Sequence, residues 1–243
     1  MRLLTTIALM MVLSSCSKTE TLAVDPVFSD PNWIRIEIAD GKEAHAVYGS
    51  IDDTLLVSTL YAIHQTTDNA KTWNLTKKDH QAIFGFLAKA DTVFALYAHL
   101  PKSQSNQALA SYSDYFTLDN GSTWKNADQF KVSKQRSQAY GLVRPNNQVT
   151  LRIKENLEPI NGSPNASIVL KSDVEIVKNG TSDLLDLPFN NQITNLYLDK
   201  KGRLYVSATC SIHDKISGKY LDYEKSQPAI VYISKRPILD VIN

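Results

Sequence analysis

The chain has 243 residues, with 26 Lys+Arg against 25 Asp+Glu for a formal charge of +1, 43% hydrophobic residues and two cysteines. So small a net charge excludes the clustered positive footprint with which a dedicated nucleic-acid binder displaces counterions. Two cysteines exclude a disulfide-built scaffold and any Cys-rich zinc module, and nine glycines leave little for phosphate-binding loops.

The first element is an address. Arg2 precedes an apolar stretch, Leu3 to Leu13, that is too short to span a bilayer as a helix. Ser14 and Ser15 are small, as a cleavage site requires, and Cys16 follows. The tetrad Leu13-Ser14-Ser15-Cys16 resembles the lipobox of bacterial lipoproteins. That resemblance implies cleavage before Cys16, lipid on its thiol and new amino group, and a mature chain anchored to a membrane without spanning it. The expected organisation is a signal peptide over 1–15, a lipidated N-terminus and flexible tether over 16–32, and one folded domain over 33–243. Ser17 after the cysteine implies, by analogy with Gram-negative bacteria, the outer membrane, periplasmic or surface-exposed.

From Trp33 onward the chain reads as short alternating runs rich in Val, Ile, Leu, Tyr and Thr. The spacing predicts strands over Trp33–Ile38, Thr54–Ser58, Thr92–Tyr97, Gln148–Ile153, Leu204–Ala208 and Ala229–Ile233. Ala82–Leu100, the most apolar later stretch, is interrupted by Lys89 and Asp91 and reads as two strands. Asp40-Gly41, Asp52-Asp53, Asn146-Asn147 and Lys201-Gly202 punctuate the runs as turns. No segment carries a long 3.6-residue apolar stripe, so the fold class is all-β.

Two segments match each other 51 residues apart: Thr66-Thr67-Asp68-Asn69-Ala70-Lys71-Thr72-Trp73 and Thr117-Leu118-Asp119-Asn120-Gly121-Ser122-Thr123-Trp124. Both resemble the Asp-box of BNR-repeat, sialidase-like β-propellers. The physics suits a tight turn, because Asp accepts bonds from nearby backbone N–H groups and glycine supplies a positive φ. The second copy fits every defined position. The first has Ala70 in place of glycine, which predicts a slightly strained or differently shaped turn. The resemblance implies that the turns join the third and fourth strands of a blade. Thr66, Asp68, Thr72, Trp73, Thr117, Asp119, Gly121, Thr123 and Trp124 would then be structural and not catalytic.

Later blades lack the motif. Gln138–Val143, Gln148–Ile153 and Ala166–Lys171 would form one, and Ile193–Leu198, Leu204–Thr209 and Ala229–Ser234 another, with the strand at Trp33 completing the last. At roughly 40–50 residues per blade the domain holds about four blades of four antiparallel strands. Five shorter blades, or an incomplete propeller closed by a partner chain, are alternatives.

No metal-ligand spacing joins His45, His64, His80, His99 and His213, and no nucleophile elbow or phosphate loop is present. Cys210 reads as a small buried hydrophobe. No catalytic residue, metal or cofactor is assigned. Three polar insertions, Pro101–Ser111, Glu155–Asn165 and Ser211–Gln227, are the places where a rigid scaffold would carry recognition. The expected role is a membrane-anchored, non-catalytic binding or assembly module for a protein or glycan. A sialidase-like glycoside hydrolase, needing an arginine triad drawn from Arg35, Arg136, Arg144, Arg152, Arg203 and Arg236, is one alternative. An assembly factor for a membrane complex, resembling the Asp-box factors of photosynthetic membranes, is another.

Overall fold

The computed structural model describes residues 28–39, 41, 43–100, 108–127, 137–162, 166–222 and 228–242. Cys16, the signal segment and most of the tether lie outside the described residues.

Among the described residues β1 (Trp33–Ile38) comes first, and four sheets follow in sequence order. Blade one is β2 (Ala44–Gly49), β3 (Leu55–Thr59), β4 (Ala62–Thr66) and β5 (Asn74–Lys78). Blade two begins with β6 (Gly85–Lys89) and β7 (Thr92–Leu96), makes an excursion through β8 (Ala98–Leu100) and β9 (Leu109–Ser111), and returns as β10 (Tyr115–Thr117) and β11 (Lys125–Asn126). The excursion pairs with β12 (Ser137–Ala139) as a small three-stranded sheet. Blade three is β13 (Leu142–Val143), β14 (Val149–Pro159), β15 (Ser167–Lys178) and β16 (Thr181–Leu184). Blade four is β17 (Asn191–Leu198), β18 (Leu204–His213), which carries β19 (Tyr220–Asp222) as an extension, and β20 (Ala229–Ser234). Its outer strand is β1, antiparallel to β20 from Trp33 opposite Ser234 to Ile38 opposite Ala229. The protein is a β-propeller of four four-stranded antiparallel sheets, closed by its own N-terminal strand. Burying Trp33, Ile36 and Ile38 in that closure contributes on the order of 5 kcal/mol.

The expected strands fall on β1, β3, β6, β7, β14, β18 and β20. One expectation needs correction. Gln138–Val143 is not a single strand, because Gly141 takes φ +68 and splits it. The first half pairs with β9 of blade two, the second with β14 of blade three.

The core is distributed over the interfaces between blades. Leu151, Val174, Leu204 and Val206 fill the seam of blades three and four. Ile38, Leu55, Val57, Tyr205 and Ile233 fill that of four and one. Leu56, Ile63, Ile83, Phe86 and Ala95 fill that of one and two. The seam of two and three differs. Blade two offers Phe94, Leu96 and Phe116, packed by Tyr140. Blade three has its apolar Leu151 and Ile176 in the seam with blade four, so the opposite face carries the row Leu142, Arg152, Glu175 and Leu184.

Candidate functional site

In an antiparallel four-stranded blade, the hairpin joining strands two and three rises at one end. The first and third turns lie at the other. Blade one turns through Leu60 and Tyr61 alone. The other three blades are elongated there. The three recognition insertions read from the sequence fall in or beside the β8–β9 excursion, at the tip of the β14–β15 hairpin, and on the β18–β19 hairpin. Insertions scattered over more than a hundred residues of sequence therefore share one end of the molecule.

The arms of blades three and four brace each other. The Lys171 N–H donates to the Gly218 carbonyl at 2.8 Å. Lys219 Nζ pairs with Glu158 Oε2 at 3.2 Å, and the Ser172 N–H donates to Gln192 Oε1 at 3.1 Å. Asn156 crosses the arm, its Nδ2 donating to the Lys171 carbonyl and to Asp173 Oδ2. On these arms stand large apolar side chains in water. Leu157 and Val169 are paired across the ribbon and share a face, Ile216 at the hairpin tip is 97% exposed, and Leu221 is 62% exposed. Tyr61, Tyr112 and Tyr220 are also exposed at this end.

At the axis beneath the arms all four inner strands meet. Asn195 of β17 is buried; its Nδ2 donates to the Phe84 carbonyl of blade two, and its Oδ1 accepts from the Gly141 N–H of blade three. Thr194 donates to the Ala44 carbonyl of blade one. Phe84 stacks on Tyr140 and meets the His45 ring edge-on. His45 Nε2 lies 3.4 Å from Glu43 Oε2, and this hydrogen-bonding neighbour holds the Glu43 carboxyl below its ordinary range. This pair went unread in the sequence, although Glu and His two residues apart at the start of a strand share a face.

The residues singled out in the sequence occupy the opposite end. Thr66–Trp73 joins β4 to β5 and Thr117–Trp124 joins β10 to β11, so each turn links the third and fourth strands. Thr66 Oγ1 donates to Asp68 Oδ1 at 2.9 Å and accepts from the Ala70 N–H at 3.1 Å. Asp68 then accepts from the Thr72 N–H and hydroxyl at 3.0 and 2.7 Å. Thr117, Asp119, Gly121 and Thr123 repeat these bonds within about 0.2 Å. The first turn is not differently shaped: Ala70 takes φ +62 and bears the strain of a left-handed conformation. Bonds from Thr72 and Thr123 lower the Asp68 and Asp119 carboxyls to about 2. Trp73 packs on the seam of blades four and one. Trp124 packs against Phe86, its Nε1 donating to Thr76 at 3.2 Å.

The same end holds a second unforeseen cluster. Asp199, with no side-chain exposure, accepts from Arg203 Nη2 at 2.7 Å and from Tyr205 Oη at 3.2 Å. Arg203 also reaches Asp52 and Ser50 of blade one. Burial pushes the Tyr205 hydroxyl well above its usual range, so it acts as a fixed donor. This is a seam lock between blades four and one.

The described arginines do not converge. Arg35 pairs with Glu37 on β1, Arg144 is exposed, Arg152 pairs with Glu175, Arg203 is in the lock, and Arg236 reaches Asn32. Arg136 lies outside the described residues. Among the described residues no three His, Cys, Asp or Glu side chains group as a metal site, and no helix is long and apolar enough to cross a membrane. Cys210 is buried and unpaired.

No protein-family model matches the sequence, and no curated protein does. Solved structures with similar folds include a protein provisionally named a gluconolactonase, 10% identical with a TM-score of 0.36, spanning 86% of this chain and 94% of that one. A protein of unknown function from Dyadobacter fermentans is 14% identical with a TM-score of 0.25, over 78% and 52% of the two chains. The N-terminal domain of Nup159 is 11% identical with a TM-score of 0.23, over 75% and 63%. Scores this low carry no argument, and the propeller is read from the four sheets themselves.

Proposed function

We propose that this chain is a lipid-anchored propeller of the Asp-box kind that docks a protein on its hairpin end without catalysing a reaction. The observation that carries the reading is the gathering of Leu157, Val169, Ile216 and Leu221 in water on two braced arms. Exposed aliphatic side chains carried on a rigid support mark a protein contact. A glycan site would call instead for a ring-faced platform with convergent polar groups, and Tyr61, Tyr112 and Tyr220 are its basis here. The described arginines, being dispersed, give the sialidase-like alternative no support. Anchoring rests on Leu13-Ser14-Ser15-Cys16, and the outer-membrane assignment on Ser17. A membrane-complex assembly factor is one form that a docking module would take.

A photo-cross-linking residue placed at Ile216 or Leu157 in the native envelope tests the reading, with Leu75 on β5 as the control. Docking gives one discrete protein adduct from the arms and none from Leu75. Adducts equal at all three positions, or a saccharide adduct from the arms, would overturn it. Anchoring is read in the same cells, where a labelled fatty acid should enter the wild type and not Cys16→Ser.

A further inference from the structure

His213 ends β18 at the foot of the Asp214–Lys219 hairpin, whose tip carries Ile216. Its side chain is buried, its Nδ1 has no hydrogen-bond partner, and the Tyr220 ring meets it edge-on at 5.8 Å. The backbone of Ser211 and of Asn190 hydrogen-bonds the imidazole. Apart from the Asp214 and Ser217 side-chain bonds within its own turn, little else holds the hairpin. The β18–β19 pairing covers Ile212 with Asp222 and His213 with Tyr220, and its register shifts between them. Beyond it are the Asp214 N–H to Lys219 bond, the Gly218 N–H to Asp214 bond, the brace from Lys171, and the exposed Lys219–Glu158 pair. An exposed pair of that kind is worth little.

We infer that protonation of His213 releases the Asp214–Lys219 hairpin, so that the docking end is set at neutral pH and let go in mildly acidic surroundings. The bearing on docking rests on the function proposed above, whereas release of the hairpin stands apart from it.

A neutral imidazole leaves Nδ1 as a bare lone pair in a dry setting. A protonated one places there an unpartnered N–H and a charge without water, and the backbone bonds from Ser211 and Asn190, which favour the charged form, offset that cost only in part. The charged groups around it offer no relief. Lys171 on β15 repels a second cation, and its ammonium is held by Asp173 at 2.9 Å. Asp173 also accepts from Asn156. Asp214, next in the chain, accepts from the N–H groups of Ile216 and Ser217 and from the Ser217 hydroxyl. Glu158 faces Lys219. Among the described residues no carboxylate pairs with His213. Burial accordingly holds its pKa below the ordinary imidazole range. The closed hairpin therefore binds fewer protons than the open one. Its stability is full above about pH 6.5 and falls as the pH drops toward the depressed value.

Hydrogen exchange of the mature chain at pH 7.5 and 5.0, corrected for intrinsic rates, tests the inference. Residues 211–222 should lose protection about tenfold or more at pH 5.0, while 55–66 of blade one keep theirs. In His213→Gln the two pH values should give equal protection. Unchanged protection in the wild type at pH 5.0, or the same acid loss in the variant, would overturn it. If the variant fails to fold, NMR titration of the wild-type imidazole decides. Release predicts a midpoint below 6.5 that coincides with the loss of protection, and a midpoint elsewhere sinks it. Cross-linking from Ile216 at pH 7.5 reports on docking alone, so failure of the docking reading and failure of the switch give different results.

Discussion

Gly121 lies hard against Leu56: a methyl group on its Cα would sit 2.4 Å from Leu56 Cδ2. Through this contact the turn of blade two closes the side of blade one. Gln65 on β4 reinforces it, donating to the Asn120 carbonyl and to Ser122 Oγ.

Gly121→Ala therefore meets two penalties, an overpacked contact and a left-handed φ of +89. Together they should cost about 2–4 kcal/mol, read as a lower urea midpoint. At the matching position of the first turn the two effects oppose each other. Ala70 already tolerates φ +62 beside the seam of blades four and one, so Ala70→Gly trades relieved strain against a freer unfolded chain. It should shift stability by less than about 1 kcal/mol. Equal losses in the two variants would show that the turns are not equivalent units.

The repeat, the strands and the closing role of Trp33 were legible in the sequence because they rest on local signals: period-two alternation, turn residues, and a motif recurring at a fixed interval. The break at Gly141 was not. A single glycine in an apolar run does not say which neighbouring sheet will claim each half. The Asp199–Arg203 lock and the Glu43–His45 pair were also missed, since each depends on which loops the ring closure brings together. The three insertions were recognised singly as polar loops. That they rise at one end follows only once each is placed between the second and third strands of its blade. Leu157, Ile216 and Leu221 fall in stretches read as polar insertions and Val169 in an expected strand, and their exposure appears only where the arms outrun the blades.

Asp52 carries two cations of unequal worth. Lys201 is 67% exposed on its side chain, whereas Arg203 is 9% exposed and also neutralises the buried Asp199. Lys201→Ala should cost less than about 1 kcal/mol. Arg203→Met should cost about 3–5 kcal/mol, because Asp199 is left buried without a countercharge, held only by Tyr205 and backbone N–H groups. Chemical denaturation of the two variants and of Arg203→Met with Asp199→Leu checks the assignment. The double variant should recover much of the loss, and a double variant as unstable as the single one would place the lock's contribution elsewhere.

Asp68 and Asp119 tie stability to acid. Both folded-state values are about 2, below the ordinary carboxylate range, so the folded chain binds fewer protons than the unfolded one. Their contribution is present above about pH 4 and is lost as the pH falls through about 2. Urea midpoints measured from about pH 5 down to about pH 2.5 should decline in the wild type. The decline should be shallower in Asp68→Asn with Asp119→Asn, and a parallel decline would assign the acid sensitivity to other carboxylates.

Asn195 joins three blades with one side chain, and its replacements should separate acceptor from donor. Asn195→Leu strands the Gly141 N–H and the Phe84 carbonyl in a buried setting and should cost about 2–4 kcal/mol. Asn195→Asp keeps an oxygen for Gly141 but sets a carboxylate against the Phe84 carbonyl, where the wild type has a donor at 3.2 Å. Burial and that carbonyl both disfavour the charged form, so the variant's folded carboxyl pKa should be raised. A raised acid pKa means the folded variant binds more protons than its unfolded chain near that value. Its deficit relative to wild type should then shrink as the pH falls from neutral toward about 4, because the protonated acid can donate to Phe84. A deficit independent of pH would mean that the axis opens around residue 195 and lets water reach it.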